Sequence, residues 1–129
     1  MLYITENRNG FEVINLTRGD DAVIEVPLKN LNDEDVTLGN EDYLIFDVRV
    51  LPKKDSKRII HIESAPGSNR IIFTHDDTKN LKVGQYSAEI QMMFDGKRST
   101  VWPKLTGDMR FNEDINRNNF ILMPEVVYE

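Results

Sequence analysis

The stretch from Asp76 to Gly96 constrains the fold more than any other segment, because it joins an alternating strand to a tight turn. From residue 86 to residue 94 apolar side chains fall on one face, and those between them are mostly polar. This period of two is typical of a half-buried antiparallel strand. Asp95-Gly96 follows at once and predicts a type I′ hairpin, since that turn needs positive φ at both central residues. The apolar set is Tyr86, Ala88, Ile90, Met92 and Phe94.

The residues before this strand predict how the chain enters it. Leu81, Gly84 and Tyr86 have the spacing of a tyrosine corner, a feature of sandwich domains in which a tyrosine hydroxyl bonds back to the main chain. We also expect one short helical turn over residues 76–80. Asp76 or Asp77 is expected to cap it, because aspartate accepts hydrogen bonds from the free N–H groups at a helix start.

Apolar segments with strand character recur along the chain at the intervals of about 8–12 residues expected of an all-β sandwich or barrel. Pro27 lacks a main-chain N–H, so its segment is expected to be an edge strand or to carry a bulge. We therefore predict an antiparallel β-sandwich of about seven strands. The predicted strands cover residues 11–16, 22–28, 44–50, 58–63, 70–74, 86–94 and 97–105.

Composition excludes several classes of function. A chain of 129 residues is the size of one domain. The absence of cysteine excludes disulfides, thiolate catalysis and thiolate zinc sites, and it suits folding in a cytoplasm. The net charge of −6 opposes binding to nucleic acid. No run of 18 apolar residues and no secretory signal occur, so we expect neither a membrane partner nor export by that route.

The charge is distributed unevenly along the chain. Residues 1–43 carry ten acids and three bases, whereas residues 44–110 carry eight acids and twelve bases. An uneven distribution of this kind can orient one copy of a protein against a neighbour. Part of the excess is the hairpin sequence Lys53, Lys54, Lys57 and Arg58, which we interpret first as a solvated turn and second as a contact for an acidic partner.

The sequence lacks the residue arrangements that catalysis or metal binding would need. His61 and His75 do not stand near a nucleophile motif such as Gly-x-Ser-x-Gly. The acidic pairs and triplets do not have the spacing of an EF-hand calcium loop and are better explained as solvated turns. We therefore predict that the chain is not an enzyme, and that it has no catalytic residue, no cofactor and no metal site.

The C-terminal part predicts a contact region. Residues 112–119 are polar and rich in asparagine, like a linker, and residues 120–128 are apolar again but contain Pro124. We thus divide the chain into a sandwich over 1–111 and, over 112–129, a linker with an apolar tail or an added edge strand. Trp102 lies opposite Val101 and Leu105 in its predicted strand, which favours exposure. The expected partner-binding residues are Trp102, Phe120, Ile121, Leu122 and Val126.

Several short motifs occur in an order that resembles a known family. They are Thr17-Arg18-Gly19-Asp20 before an apolar strand, the strand 43–50, Asp77-Thr78 before Leu81, Gly84-Gln85-Tyr86, and Asp95-Gly96. Over residues 11–111 the chain is similar to the N-terminal domain of upper baseplate proteins from phages and prophages of Gram-positive bacteria. The resemblance implies an immunoglobulin-like sandwich that attaches a tail-tip protein to the baseplate core without catalysis. It also implies a virion location after synthesis in the bacterial cytoplasm.

Two hypotheses about function follow from these observations. The first is a non-catalytic structural protein of a phage or prophage tail or baseplate, whose partners are other tail or baseplate subunits or further copies of itself. The alternative is a carbohydrate-binding β-sandwich module, in which Trp102 and Tyr43 would stack on a sugar. Burial of Trp102 would exclude the carbohydrate-binding alternative, because a buried indole cannot stack on a ligand.

Overall fold

The computed structural model describes residues 1–30, 32–53, 55–103 and 116–125. Within these ranges the chain forms nine strands and one short helix. The helix, α1 (His75–Thr78), lies between the sixth and seventh strands. The strands are β1 (Leu2–Glu6), β2 (Glu12–Thr17), β3 (Ala22–Glu25), β4 (Tyr43–Arg49), β5 (Arg58–Glu63), β6 (Arg70–Phe73), β7 (Gly84–Phe94), β8 (Lys97–Trp102) and β9 (Phe120–Met123).

Seven of these strands form one large sheet in the order β1-β2-β9-β7-β4-β5, with β8 paired to β7. The long strand β7 pairs with β4 along one edge. Its other edge pairs first with β9 at residues 84–86 and then with β8 at residues 90–94. The chain is all-β, as predicted. The large sheet is mixed rather than purely antiparallel, because β2 and β9 run parallel.

The remaining two strands, β3 and β6, form a small antiparallel sheet that packs on the large one. The contact centres on three fully buried phenylalanines, Phe46 of β4, Phe73 of β6 and Phe120 of β9. The ring centroids of Phe46 and Phe73 lie 5.3 Å apart at an interplanar angle of 81°. Edge-to-face packing of this kind adds to the stabilisation from burial of apolar area. The core is therefore shared between two layers of strands.

The segment predicted as an apolar tail or edge strand is an interior strand. β9 lies between β2 and β7, and the side chains of Phe120 and Leu122 are buried in the core. The side chain of Asn119 explains how β9 begins: its Oδ1 accepts a bond of 2.7 Å from the N–H of Ala88, and its Nδ2 donates one of 2.9 Å to the Ala88 carbonyl. Asparagine here completes the sheet rather than forming a linker. The predicted boundary at 111/112 lies outside the described residues.

Several local predictions are confirmed. Asp95 and Gly96 have φ of 51° and 74°, as a type I′ turn requires, and join β7 to β8. β3 ends before Pro27 in a two-stranded sheet, which makes it an edge strand. The predicted helical turn is present as α1, but its N-cap is Thr74, and Asp77 contributes from the third helical position by accepting a hydrogen bond of 2.7 Å from the N–H of Thr74. The predicted strand 97–105 ends at Trp102, and its last two residues lie outside the described part.

β1 was not predicted, because the consecutive apolar residues 2–4 do not show a period of two. It pairs antiparallel with β2 through a turn that begins at Asn7. The Oδ1 of Asn7 accepts hydrogen bonds from the N–H groups of Asn9 and Phe11, and Gly10 has a φ of 81°. An asparagine side chain that bonds the following main chain is a turn signal. Thus the turn was visible in the sequence although the strand before it was not.

Candidate interaction surface

Trp102 is buried, with an exposed fraction of 8%, which contradicts the prediction of an exposed indole. The reason is a bulge in the pairing of β7 with β8. Ile90 pairs with Trp102 but Gln91 pairs with Thr100, so Val101 is an extra residue that shifts the alternation of β8. Trp102 consequently lies beside Ile90 in the core. Its burial removes the observation on which the carbohydrate-binding hypothesis depended.

The other predicted contact residues are distributed differently. Phe120 and Leu122 belong to the core, so their side chains are not available to a partner while the domain is folded. Ile121 is half-buried and lines a shallow depression on the opposite face of the sheet together with Val13 and Gln85. Val126 lies outside the described residues. The structure therefore does not bring the five predicted residues together into one surface.

A groove of about 200 Å³ opens between the large sheet and the free side of β3. We call it the acidic groove, because its apolar lining includes two exposed carboxylates, Glu12 and Glu25. Neither forms a salt bridge with any residue of the described ranges. The apolar lining consists of Ile4, Ile14, Ile24, Val26, Pro27, Ile90, Val101 and Trp102.

The outer edge of β1 is not paired with any described strand. The bonds from Asn7 N to Phe11 O and from Thr17 N to Met1 O set the β1–β2 ladder. Because the direction of the N–H groups alternates along an antiparallel strand, those of Leu2, Ile4 and Glu6 point away from β2. This edge carries neither the lysine nor the proline that commonly blunts an exposed edge. Tyr3 and Ile4 on β1 are 41% and 45% exposed.

The connection between β4 and β5 forms a second apolar and charged surface, which we call the basic tip. It consists of Val50, Leu51, Lys53 and Lys57, and the two apolar side chains are 43% and 52% exposed. Ser56 orders the connection, since its Oγ accepts a bond of 2.9 Å from Leu51 N and its carbonyl accepts one of 2.6 Å from Arg49 Nη1. The sequence predicted the charges of this hairpin but not the exposure of Val50 and Leu51, which precede them.

His61 contacts two carboxylates through its two ring nitrogens. Its Nδ1 lies 2.5 Å from Oδ1 of the buried Asp47, and its Nε2 lies 2.9 Å from Oε2 of Glu63. Burial lowers the pKa of His61, but the bonds to Asp47 and Glu63 outweigh burial and raise the pKa above its ordinary value. Both ring nitrogens of His61 are therefore engaged by carboxylates within the fold.

The Arg18-Gly19-Asp20 turn is also engaged within the fold. The Arg18 guanidinium donates bonds of 2.7 and 2.9 Å to the Glu125 carboxylate, and one of 3.1 Å to the Leu81 carbonyl. The pKa of Glu125 is lowered to about 2, mainly because its carboxylate accepts hydrogen bonds from Arg18. Gly19 donates its N–H to Thr78 Oγ1. The turn therefore connects β2 with α1 and the end of the described chain, which is a structural role.

No group of three or more His, Cys, Asp or Glu within the described ranges is placed to hold a metal ion. The one helix found in that part of the chain is too short to cross a bilayer. Comparisons of the chain with protein-family models, with curated proteins and with solved structures found no match.

Proposed function

We propose that this chain is a non-catalytic structural subunit of a phage or prophage tail or baseplate, with an immunoglobulin-like sandwich as its scaffold. Its partners are other tail or baseplate subunits, and its final location is the virion. The order of motifs over residues 11–111 supports the identification with tail proteins. The packing of Phe46 against Phe73 between two layers supports the sandwich.

One observation carries the assembly role: the outer edge of β1 pairs with no strand of the described residues. Its N–H groups at Leu2 and Ile4 point outward, so a strand from another subunit can add to the sheet. The exposed side chains of Tyr3 and Ile4 supply apolar area for the same contact. Main-chain bonds of this kind give affinity, and the neighbouring side chains give specificity. A chain with such an edge gains a neighbour without any change in its own fold.

The test is the composition of assembled tails. Tail particles are purified from a bacterium that carries the gene after induction of phage genes, and the chain is sought in them by mass spectrometry. We expect the chain in the particles, and we expect deletion of its gene to give tails with an incomplete distal end in electron micrographs. Expression of the full chain from a plasmid should restore them. Particles that assemble completely and never contain the chain would contradict the proposal.

A further inference from the structure

We propose that the acidic groove of one copy of this chain binds the basic tip of a second copy, so that copies associate head to tail. The inference rests on the proposed assembly role and extends it by naming one partner, the chain itself. It depends on three properties of the two surfaces: their chemistry, their size and their separation within one molecule.

The chemistry of the two surfaces is complementary. The groove offers apolar walls and the two carboxylates of Glu12 and Glu25. The basic tip offers exposed apolar side chains and the two ammonium groups of Lys53 and Lys57, which form no salt bridge with any residue of the described ranges. Opposite charges around an apolar contact steer the encounter and set its orientation.

Other charges near these groups do not cancel the complementarity. Arg70 stands opposite Glu25 in the β3–β6 register, but the two form no salt bridge. Asp55 is the acid within the connection that bears the basic tip. The wider sequence has the same bias, since residues 1–43 are strongly acidic and residues 44–110 have an excess of bases.

The groove has the size to accept a side chain of the basic tip. An apolar cavity of about 150 Å³ holds a benzene molecule. The acidic groove, at about 200 Å³, therefore has room for the side chain of Leu51, which is 52% exposed. The bonds to Ser56 hold the main chain at Leu51 before binding, so little conformational entropy is lost in the contact.

The two surfaces lie on different parts of the molecule and share no residue. The groove is lined by residues of β1, β2, β3, β7 and β8, whereas the basic tip joins β4 to β5. Glu12 of the groove belongs to β2, which is four inter-strand spacings of about 4.8 Å, or roughly 19 Å, from β5 along the sheet. A contact between two different surfaces is heterologous, and it produces a closed ring or an open filament. The contact is small, so we expect weak association in solution.

A charge-exchange experiment tests this contact. Sedimentation velocity of the full chain at low salt should show association that increases with concentration and weakens as salt is added. The groove variant Glu12→Lys/Glu25→Lys and the tip variant Lys53→Glu/Lys57→Glu should each weaken self-association at least tenfold. In each variant alone, both surfaces carry the same sign of charge. An equimolar mixture of the two should associate again, because each groove then meets a tip of opposite charge.

A matched control separates this contact from a general effect of charge. The variant Lys97→Glu/Arg98→Glu makes the same change in net charge as the tip variant, but at the start of β8, and should associate like the wild type. Circular dichroism verifies that every variant is folded. A wild-type chain that stays monomeric up to about 1 mM, or a mixture that fails to associate, would overturn the inference. If the chain is monomeric in solution but present in tail particles, only the head-to-tail contact is excluded. If the chain self-associates but is absent from tail particles, only the proposed function is excluded.

Discussion

The hydroxyl of Tyr86 donates a hydrogen bond of 2.5 Å to the main-chain carbonyl oxygen of Lys82. Lys82 lies four residues before Tyr86, so the bond closes the connection between α1 and β7. Gly84 lies between the two residues with a φ of 152°, a conformation that residues with a side chain rarely adopt. This is the tyrosine corner predicted from the spacing of Leu81, Gly84 and Tyr86, and it fixes the start of the longest strand.

Replacement of Tyr86 by phenylalanine should lower the free energy of unfolding by about 1 kcal/mol, the net contribution of one such hydrogen bond. The ring remains in place, so the loss reports the hydroxyl alone. Urea unfolding measures the change. Tyr3→Phe is the matched control, since the Tyr3 hydroxyl bonds only to the Met123 sulfur at the exposed surface. Equal effects of the two substitutions would contradict a structural role for the corner.

Replacement of Phe120 by alanine should destabilise the domain by about 3–5 kcal/mol, because the ring is fully buried against Phe46 and Phe73. Deletion of residues 112–129 removes β9 from the middle of the large sheet and should prevent folding. Circular dichroism and thermal unfolding measure both effects. Ile121→Ala, at the half-buried neighbouring position, should cost less. A truncated chain that remains folded would show that β9 is dispensable.

The pair of His61 with Asp47 should make stability depend on pH. The pKa of His61 is raised in the folded protein above the ordinary value of 6.5, so the protonated form is favoured by folding. The stabilisation is complete below pH 6.5 and is lost as pH rises through the raised pKa. Urea unfolding at a series of pH values should show this loss in the wild type and not in His61→Gln. Titration of His61 by NMR at or below pH 6.5 would contradict it.

Two proline substitutions in β1 test the role of its outer edge. Ile4→Pro removes an N–H that points away from β2, so the domain should stay folded while incorporation into tail particles falls. Thr5→Pro removes an N–H of the β1–β2 ladder and should reduce stability by about 1 kcal/mol or more. Thermal unfolding and mass spectrometry of purified particles measure the two effects. Normal incorporation of the Ile4→Pro chain would show that assembly does not use this edge.

Much of the local structure could be predicted because its causes are close together in the sequence. Alternation over 44–50 and 86–94 predicted β4 and β7, and Asp95-Gly96 predicted the turn between β7 and β8. The half-buried character expected of β7 was wrong, because the polar side chains of Ser87, Glu89 and Gln91 are buried as well. The side on which Trp102 lies could not be predicted. One extra residue at Val101 reverses the alternation of β8, and that bulge depends on the pairing with β7 rather than on the residues of β8 alone.

The candidate surfaces were likewise only partly predictable from the sequence. The charges of the basic tip and the acidic bias of residues 1–43 were evident from the sequence. The acidic groove was not, because its lining comes from five strands and the residues after β3. Similarly, the free edge of β1 depends on where the sheet ends, and an apolar segment of three residues did not indicate even that a strand was present.

By itself the sequence determined an all-β chain, the positions of most strands, the tyrosine corner and the separation of acidic from basic residues. These properties depend on alternation, turn chemistry and charge, which act over a few neighbouring residues. Only the tertiary structure decided that residues 120–123 form an interior strand, that Trp102 is buried and that β1 has an edge to which no described strand is paired. The interior position of β9 depends on pairing between segments about a hundred residues apart, such as Ile14 with Phe120, and the burial of Trp102 depends on a bulge in the pairing of β8 with β7. No local pattern records which strand becomes the neighbour of another or where a bulge falls.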